Sequence, residues 1–232
     1  MTSTAAAPTH ADTGGVTPSP GAAAETVAAR LDQRVAALDG TPHELFARLY
    51  RCSTVHWVER LSGQPDADMV FRLIPHFFAL YEERVGAVIA GRSSCPAHWK
   101  PYFDACRSPH WRHRPADAWR IVIAGVHAHT TIDLRDAIVR TAADHRLAHG
   151  RLPDLDAFET LMFGSVCDRS FAEAAVAFCD HNRQTGGPLL GSRLAAQSPN
   201  GLIAVWGGWL RAWRRSAWAD ARARIACAHG PT

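Results

Sequence analysis

From Ala23 onward, large apolar residues return every three or four positions, the spacing of one helix face. Val27, Leu31, Val35 and Leu38 form the first stripe, and Gly40 ends it. Thr41-Pro42 opens a second helix, predicted with Thr41 as N-cap, Pro42 at the first position and Glu44 at the third. Its apolar face runs through Leu45, Phe46, Leu49, Val55, Trp57, Val58 and Leu61. A third helix is predicted over residues 67–90, kinked at Pro75, where the ring removes a backbone donor. A short helix over 97–107 precedes a long central helix over 115–145. Another runs from Pro153 past Phe178, and Gly186-Gly187-Pro188 with Gly191 breaks the pattern. The last helix covers 199–228.

Strand-like alternation is nearly absent and no fixed-period repeat is visible. The pattern predicts an all-α fold, a single-domain helical bundle over residues 23–230 with a long central helix. Residues 1–22 are Ala, Thr, Pro and Gly with almost no large apolar side chain, and read as a disordered tail.

Composition narrows the function classes. A chain of 232 residues, 47% hydrophobic and 20% charged, is ordinary for a globular domain. The formal charge of +3 gives no general polyanion-binding surface, and Lys100 is the only lysine among the basic residues. The six cysteines, Cys52, Cys95, Cys106, Cys167, Cys179 and Cys227, include no CxxC pair, so they read as ordinary thiols. With neither a secretory signal nor an apolar run of membrane-spanning length, the expected location is the cytoplasm.

Against this background the run Val126-His127-Ala128-His129-Thr130-Thr131-Ile132-Asp133-Leu134 stands out. It spends two histidines and a carboxylate in the most apolar part of the central helix. At about 100° per residue, His129 and Asp133 lie one turn apart on a face shared with Val122, Gly125, Val126, Asp136 and Arg140. His127 belongs to a second stripe with Ile123, Thr131, Leu134 and Ile138, which reads as the core-facing one. Thr130 and Thr131, β-branched inside a helix, are expected to bond back to helix carbonyls.

An i,i+4 His/Asp pair can offer an imidazole nitrogen and a carboxylate oxygen to one divalent metal, zinc or iron. The same pair also makes a plain hydrogen-bonded couple that fixes a helix face. The best further ligands are His76 and Glu83 on the third helix, with His56, Asp180 and His181 as other ligand-type residues. His127 reads either as a satisfied core histidine or as a general base. His98, His110 and His113 lie in a loop-like connection, a weaker basis for a metal site.

Trp206, Trp209 and Trp213 form an aromatic stripe on the last helix, with Arg211, Arg214, Arg215, Arg222 and Arg224 on its other faces. Packed tryptophans and paired or snorkelling arginines explain this more economically than a nucleic-acid or membrane surface. Arg214 can aim its guanidinium at Asp133, at Asp136 or at an anionic substrate.

The run Ile123-Ala124-Gly125-Val126-His127-Ala128-His129-Thr130-Thr131-Ile132-Asp133-Leu134 resembles the A-G-M-N-A-H-I-N-x-D-L signature of an uncharacterised bacterial all-helical family, domain of unknown function 5995. The resemblance extends to Leu45–Tyr50, Phe78–Tyr81, Pro96–Phe103 and Arg214–Trp218, and so covers most of residues 40–226. Gly125, His129, Asp133, Leu134, Arg214 and Trp218 fall on the family pattern. His127 and Thr131 depart from it, each standing where the pattern has Asn, which points to a specialised, biosynthetic member.

The expected function is an enzyme of specialised metabolism acting on a small molecule, without a nucleic-acid or membrane partner. In the leading form, His129 and Asp133 bind a divalent metal completed by His76 or Glu83. His127 moves protons, Arg214 holds an anion, and the chemistry is hydrolysis or a cyclisation or lyase step. The alternatives are a metal-free cyclase or isomerase using His127 and Asp133, and a non-catalytic ligand-binding protein.

Overall fold

The computed structural model describes residues 19–65, 67–187 and 199–229. Among them there is no β-strand, and the helices pack as a bundle, as the periodicity predicts. The helices are α1 (Pro20–Ala37), α2 (His43–Leu61), α3 (Asp68–Tyr81), α4 (Ala87–Ile89) and α5 (Lys100–Cys106). They continue with α6 (Pro115–Ala128), α7 (Leu134–His149), α8 (Leu155–Phe163), α9 (Ser165–Gln184) and α10 (Pro199–His229).

Several boundaries move for identifiable reasons. Residues 1–18 of the predicted tail lie outside the described residues, but α1 begins inside that segment at Pro20. Ser19 Oγ accepts the Ala22 N–H, and proline suits the first helical turn, where its missing donor costs nothing. Thr41 does not cap α2. Its hydroxyl donates to the Leu38 carbonyl, and the helix starts at His43 with Glu44 reaching back to the Gly40 N–H at 3.0 Å. The predicted helix from Pro153 is two helices, because Gly164 is extended between them. A Cβ there would stand 2.9 Å from the Thr160 carbonyl oxygen. Asp154 caps α8 by accepting the N–H groups of Asp156 and Ala157, both at 3.0 Å. Pro75 sits inside α3, and the departure from α geometry follows further on, as a π-helical turn over Glu82–Gly86. The predicted Gly191 break lies outside the described residues.

The central helix is interrupted as well. Between α6 and α7, His129–Asp133 forms a second π-helical turn, in which the Leu134 N–H reaches the His129 carbonyl. Thr130 and Thr131 hydroxyls bond back to the Val126 and His127 carbonyls at 2.7 and 2.6 Å. A π-turn inserts one residue into the helical register, and the burial pattern records it. Buried pairs fall at 121/122, 125/126 and 128/129, then resume at 133/134, 137/138 and 141/142. The step of five from 128 to 133 replaces the expected three or four. The stripe predicted to face the core is thereby displaced: Ile123 and Thr131 are only partly buried and His127 is exposed, while His129 and Asp133 lie inside.

Packing places this turn at the centre. α2 lies against α1, α6 and α9; α3 lies against α1 and α7; α10 covers α7 and the second π-turn. One hydrophobic core runs through all of these helices.

Candidate functional site

Asp133 is fully buried, and four donors converge on it. Oδ1 accepts from the Arg84 guanidinium at 2.5 Å and from His98 Nε2 at 2.9 Å. Oδ2 accepts from His129 Nδ1 at 2.9 Å and from Trp99 Nε1 at 3.2 Å. Arg84 belongs to the first π-turn and Asp133 to the second, so the two irregular turns are joined through this pair. The other arm of Arg84 holds Asp136 at 2.6 Å. Burial pushes the Asp133 carboxyl up, but the bonds from His129, His98 and Arg84 outweigh it and hold the group well below the usual carboxylate range.

His129 is set among rings. It stacks on Phe77 with centroids 3.6 Å apart and planes 9° apart, and Tyr50 meets it edge-on at 4.6 Å. Phe46, Trp99 and Tyr81 complete the surround at 5.8, 6.0 and 6.1 Å. Burial lowers the His129 pKa from 6.5, against the opposing pull of Asp133, so the ring is neutral at pH 7. A neutral imidazole that donates from Nδ1 carries a lone pair on Nε2. That atom is buried without a partner.

Beside it lies a small cavity of about 50 Å³ whose lining includes His129, Tyr50, Ser53, Thr54, Phe77, Trp206 and Leu210. The Tyr50 hydroxyl is also buried without a partner, and burial first, then the Tyr81, Asp133 and Glu82 charges, raise its pKa well above 10. It remains an O–H. The cavity lining therefore includes a histidine with a bare acceptor and a tyrosine with a protonated, unpartnered hydroxyl. Gly125 lets Phe46 and Tyr102 come close on this side: a Cβ would stand 2.8 Å from two Phe46 ring carbons and 3.1 Å from Tyr102.

The other sequence candidates are dispersed. His76 pairs with Asp144 at 3.0 Å, and Glu83 pairs with Arg140 at 2.9 and 3.0 Å, so neither is bonded to His129 or Asp133. The reason for Glu83 is its phase: Arg84, the next residue, takes the inward position. His56 bonds the Cys52 carbonyl at 2.9 Å. His127 lies edge-on against Trp213 and lines an outer groove of about 330 Å³ with His98, Arg120 and Trp213. It does not join Asp133. Arg214 is buried but bonds the Met162 carbonyl and Asp168 at 2.9 and 3.1 Å, so it aims at neither Asp133 nor Asp136.

This arrangement does not fit the expected metal centre. An ionised carboxylate offers about four lone-pair positions, and all four donors of Asp133 are supplied by the protein. His129 Nδ1 is engaged, and the cavity lining adds no second His and no Cys, Asp or Glu to Nε2. Among the described residues no group of three or more such side chains is arranged to hold an ion.

Sequence reasoning missed Arg84, Trp99 and Tyr50 and undervalued His98. The signal for His98 and Trp99 was the Pro96–Phe103 stretch itself, which interrupts a Pro-rich connection with consecutive donor side chains. For Arg84 and Tyr50 no such signal exists, since each looks like one more residue of an amphipathic helix.

A single family model matches residues 24–231, nearly the whole chain. The chain belongs to the family of unknown function DUF5995. The DUF5995 match spans α1 to α10, so every residue of the pair and its surround falls within it. No curated protein and no solved structure matches. Among the described residues, no helix is long and apolar enough to cross a membrane.

Proposed function

We propose that this protein is an enzyme that moves a proton on a small organic molecule, in an isomerase, cyclase or lyase step, with His129 as the base. The observation that carries the reading is the buried, unpartnered Nε2 of His129, a residue of the cavity lining, with its Nδ1 tied to Asp133. Asp133 fixes the tautomer and ring orientation and stabilises the imidazolium formed on proton uptake. Its own four bonds keep it ionised and immobile, which suits a positioning group. His127 takes no part in this reading, because it faces a different groove.

In the simplest form of the step, Nε2 removes a proton from carbon next to a carbonyl. The C–H pair becomes the C=C bond, and the carbonyl pair moves to oxygen. Tyr50, kept as O–H by burial, donates a hydrogen bond to that oxygen as it becomes negative. The proton then returns from Nε2 to the same or another carbon. A cavity of about 50 Å³ is a third of the ~150 Å³ that accommodates benzene, so it admits a carbonyl-sized group and not a ring.

Deuterium uptake from D2O into acetone and butanone, followed by proton NMR, tests the reading. The native protein is expected to accelerate exchange, and His129→Gln to abolish the acceleration. Acceleration that survives His129→Gln rejects His129 as the base. Ketone binding without exchange favours the non-catalytic, ligand-binding reading.

A further inference from the structure

A second cavity of about 340 Å³ adjoins the first, and Phe171, Trp206 and Leu210 line both. Its remaining lining includes Asp168, Gly207, Gly208, Arg211 and Arg214. Here two guanidiniums meet one carboxylate: Arg211 pairs with Asp168 Oδ2, and Arg214 with Asp168 Oδ1 at 3.1 Å. Asp168 can neutralise only one of them. Arg214 is 2% exposed, and its Nε is buried without a partner. Its guanidinium carbon lies 4.8 Å from the Phe171 ring centre and 5.3 Å from that of Phe163, which fixes its plane. Burial lowers the Arg214 pKa to about 10, so it is still a cation at neutral pH. Among the described residues, nothing lies within 4 Å of where a Cβ on Gly207 or Gly208 would stand, leaving that backbone open to close approach.

A buried cation with an unmet donor beside an open cavity is suited to an anion, and the planar guanidinium fork matches a carboxylate in particular. The strip shared by the two cavities, Phe171, Trp206 and Leu210, is apolar and leads from the arginines to His129. We propose that the Arg211/Arg214 cavity binds the carboxylate of the molecule on which His129 acts, which is a short-chain carboxylic acid. Its head lies at the arginines, its apolar chain crosses Phe171, Trp206 and Leu210, and its far end enters the His129 cavity. This rests on the reading of His129 as the reacting base, and it adds the substrate class.

The probes are the n-alkanoates from butanoate to octanoate and the matching n-alkanamides. Affinity is measured by calorimetry, and the His129 imidazole signals are followed by NMR. The expected result is a preference of about tenfold for carboxylate over amide, as for exchanging a charged for a neutral acceptor. Affinity should rise about fourfold per methylene, from ~0.8 kcal/mol of burial each, until the chain reaches the inner cavity. From that length on, the His129 signals should shift. Arg211→Gln, at a half-exposed position, should reduce the carboxylate preference to about twofold or less, and His129→Gln should retain it. Equal affinity for alkanoate and alkanamide overturns the proposal, as does a preference untouched by Arg211→Gln. A carboxylate preference with no His129 response at any chain length also overturns it, because the head site would then serve another molecule. Ketone exchange with no carboxylate preference would sink this inference alone. Carboxylate preference with His129 shifts but no ketone exchange would sink the catalytic reading, and with it the claim that the bound acid is a substrate, while the carboxylate site would stand as a binding site.

Discussion

The His129 imidazole lies flat on the Phe77 ring, 3.6 Å between centroids, while its Nδ1 donates to Asp133 at 2.9 Å. The ring cannot tilt without losing one contact or the other, so the tautomer and the direction of Nε2 are set together. Nitrogen-15 NMR of the imidazole is expected to show a protonated Nδ1 and a bare Nε2. Its titration should fall at lower pH than that of a free imidazole, because burial lowers the His129 pKa. A protonated Nε2 at pH 7.5 would remove the base.

Asp133 should be the most sensitive position in the core. Asp133→Asn leaves Arg84 with Asp136 as its remaining carboxylate and sets an amide N–H₂ against donors inside the core. Breaking a buried pair in this way costs about 3–5 kcal/mol. Urea unfolding should show that loss, and adding Arg84→Met should recover part of it, since one of the donors facing the new amide is removed. A loss below about 1 kcal/mol would mean the four bonds contribute little to holding the two π-turns together.

Stability should fall as pH drops below 6.5, by up to about 1.4 kcal/mol per pH unit for each histidine involved. The sign follows from burial. His129, His43 and His76 each have a folded pKa lowered from 6.5, with desolvation as the leading cause. Between the folded and unfolded values the unfolded chain holds more protons, so acid favours it. Above about pH 7 the contribution is complete and the curve is flat. Asp133, held well below 3.8, adds its own loss only in much stronger acid. Urea midpoints from pH 7.5 to 5 should show this slope, and it should be shallower in His129→Gln.

Gly125→Ala should cost about 1–3 kcal/mol, the usual range for overpacking a filled core. The new methyl would meet Phe46 and Tyr102, both buried rings, rather than the loose end of a flexible side chain. Because Phe46 also lines the His129 cavity, the variant should lower both the melting temperature and the rate of ketone exchange. An unchanged melting temperature would show that the rings move aside freely.

The architecture was legible because it follows from periodicity. Val27, Leu31 and Leu38 are buried as their spacing requires, and His129 and Asp133 were singled out because polar groups inside an apolar run demand partners. The partners themselves were not legible. Arg84 and Glu83 are adjacent in sequence, and only the π-turn over Glu82–Gly86 decides which faces inward. The inversion at His127 has the same origin, since a strict 3.6-residue reading carries Ile123 and His127 onto the stripe of Leu134 and Ile138. The placement of Arg214 on Asp168 depends on α9 and α10 meeting, a contact between segments 46 residues apart that no local pattern encodes.

The π-turn over His129–Asp133 also makes the length of the chain part of the site. Removing one residue there, Thr131 for example, would close the turn to a continuous α-helix and shorten the step of five in the buried pattern to an ordinary four. Leu134, Ala137, Ile138, Thr141 and Ala142 would keep their buried face, while His129 and Asp133, now bonded four residues apart, would stand only three apart. The central helix is therefore two sections kept in phase by a turn that absorbs a single inserted residue. A point substitution in this turn changes a side chain, whereas a one-residue deletion would leave the packing in phase and unmake the geometry of the pair.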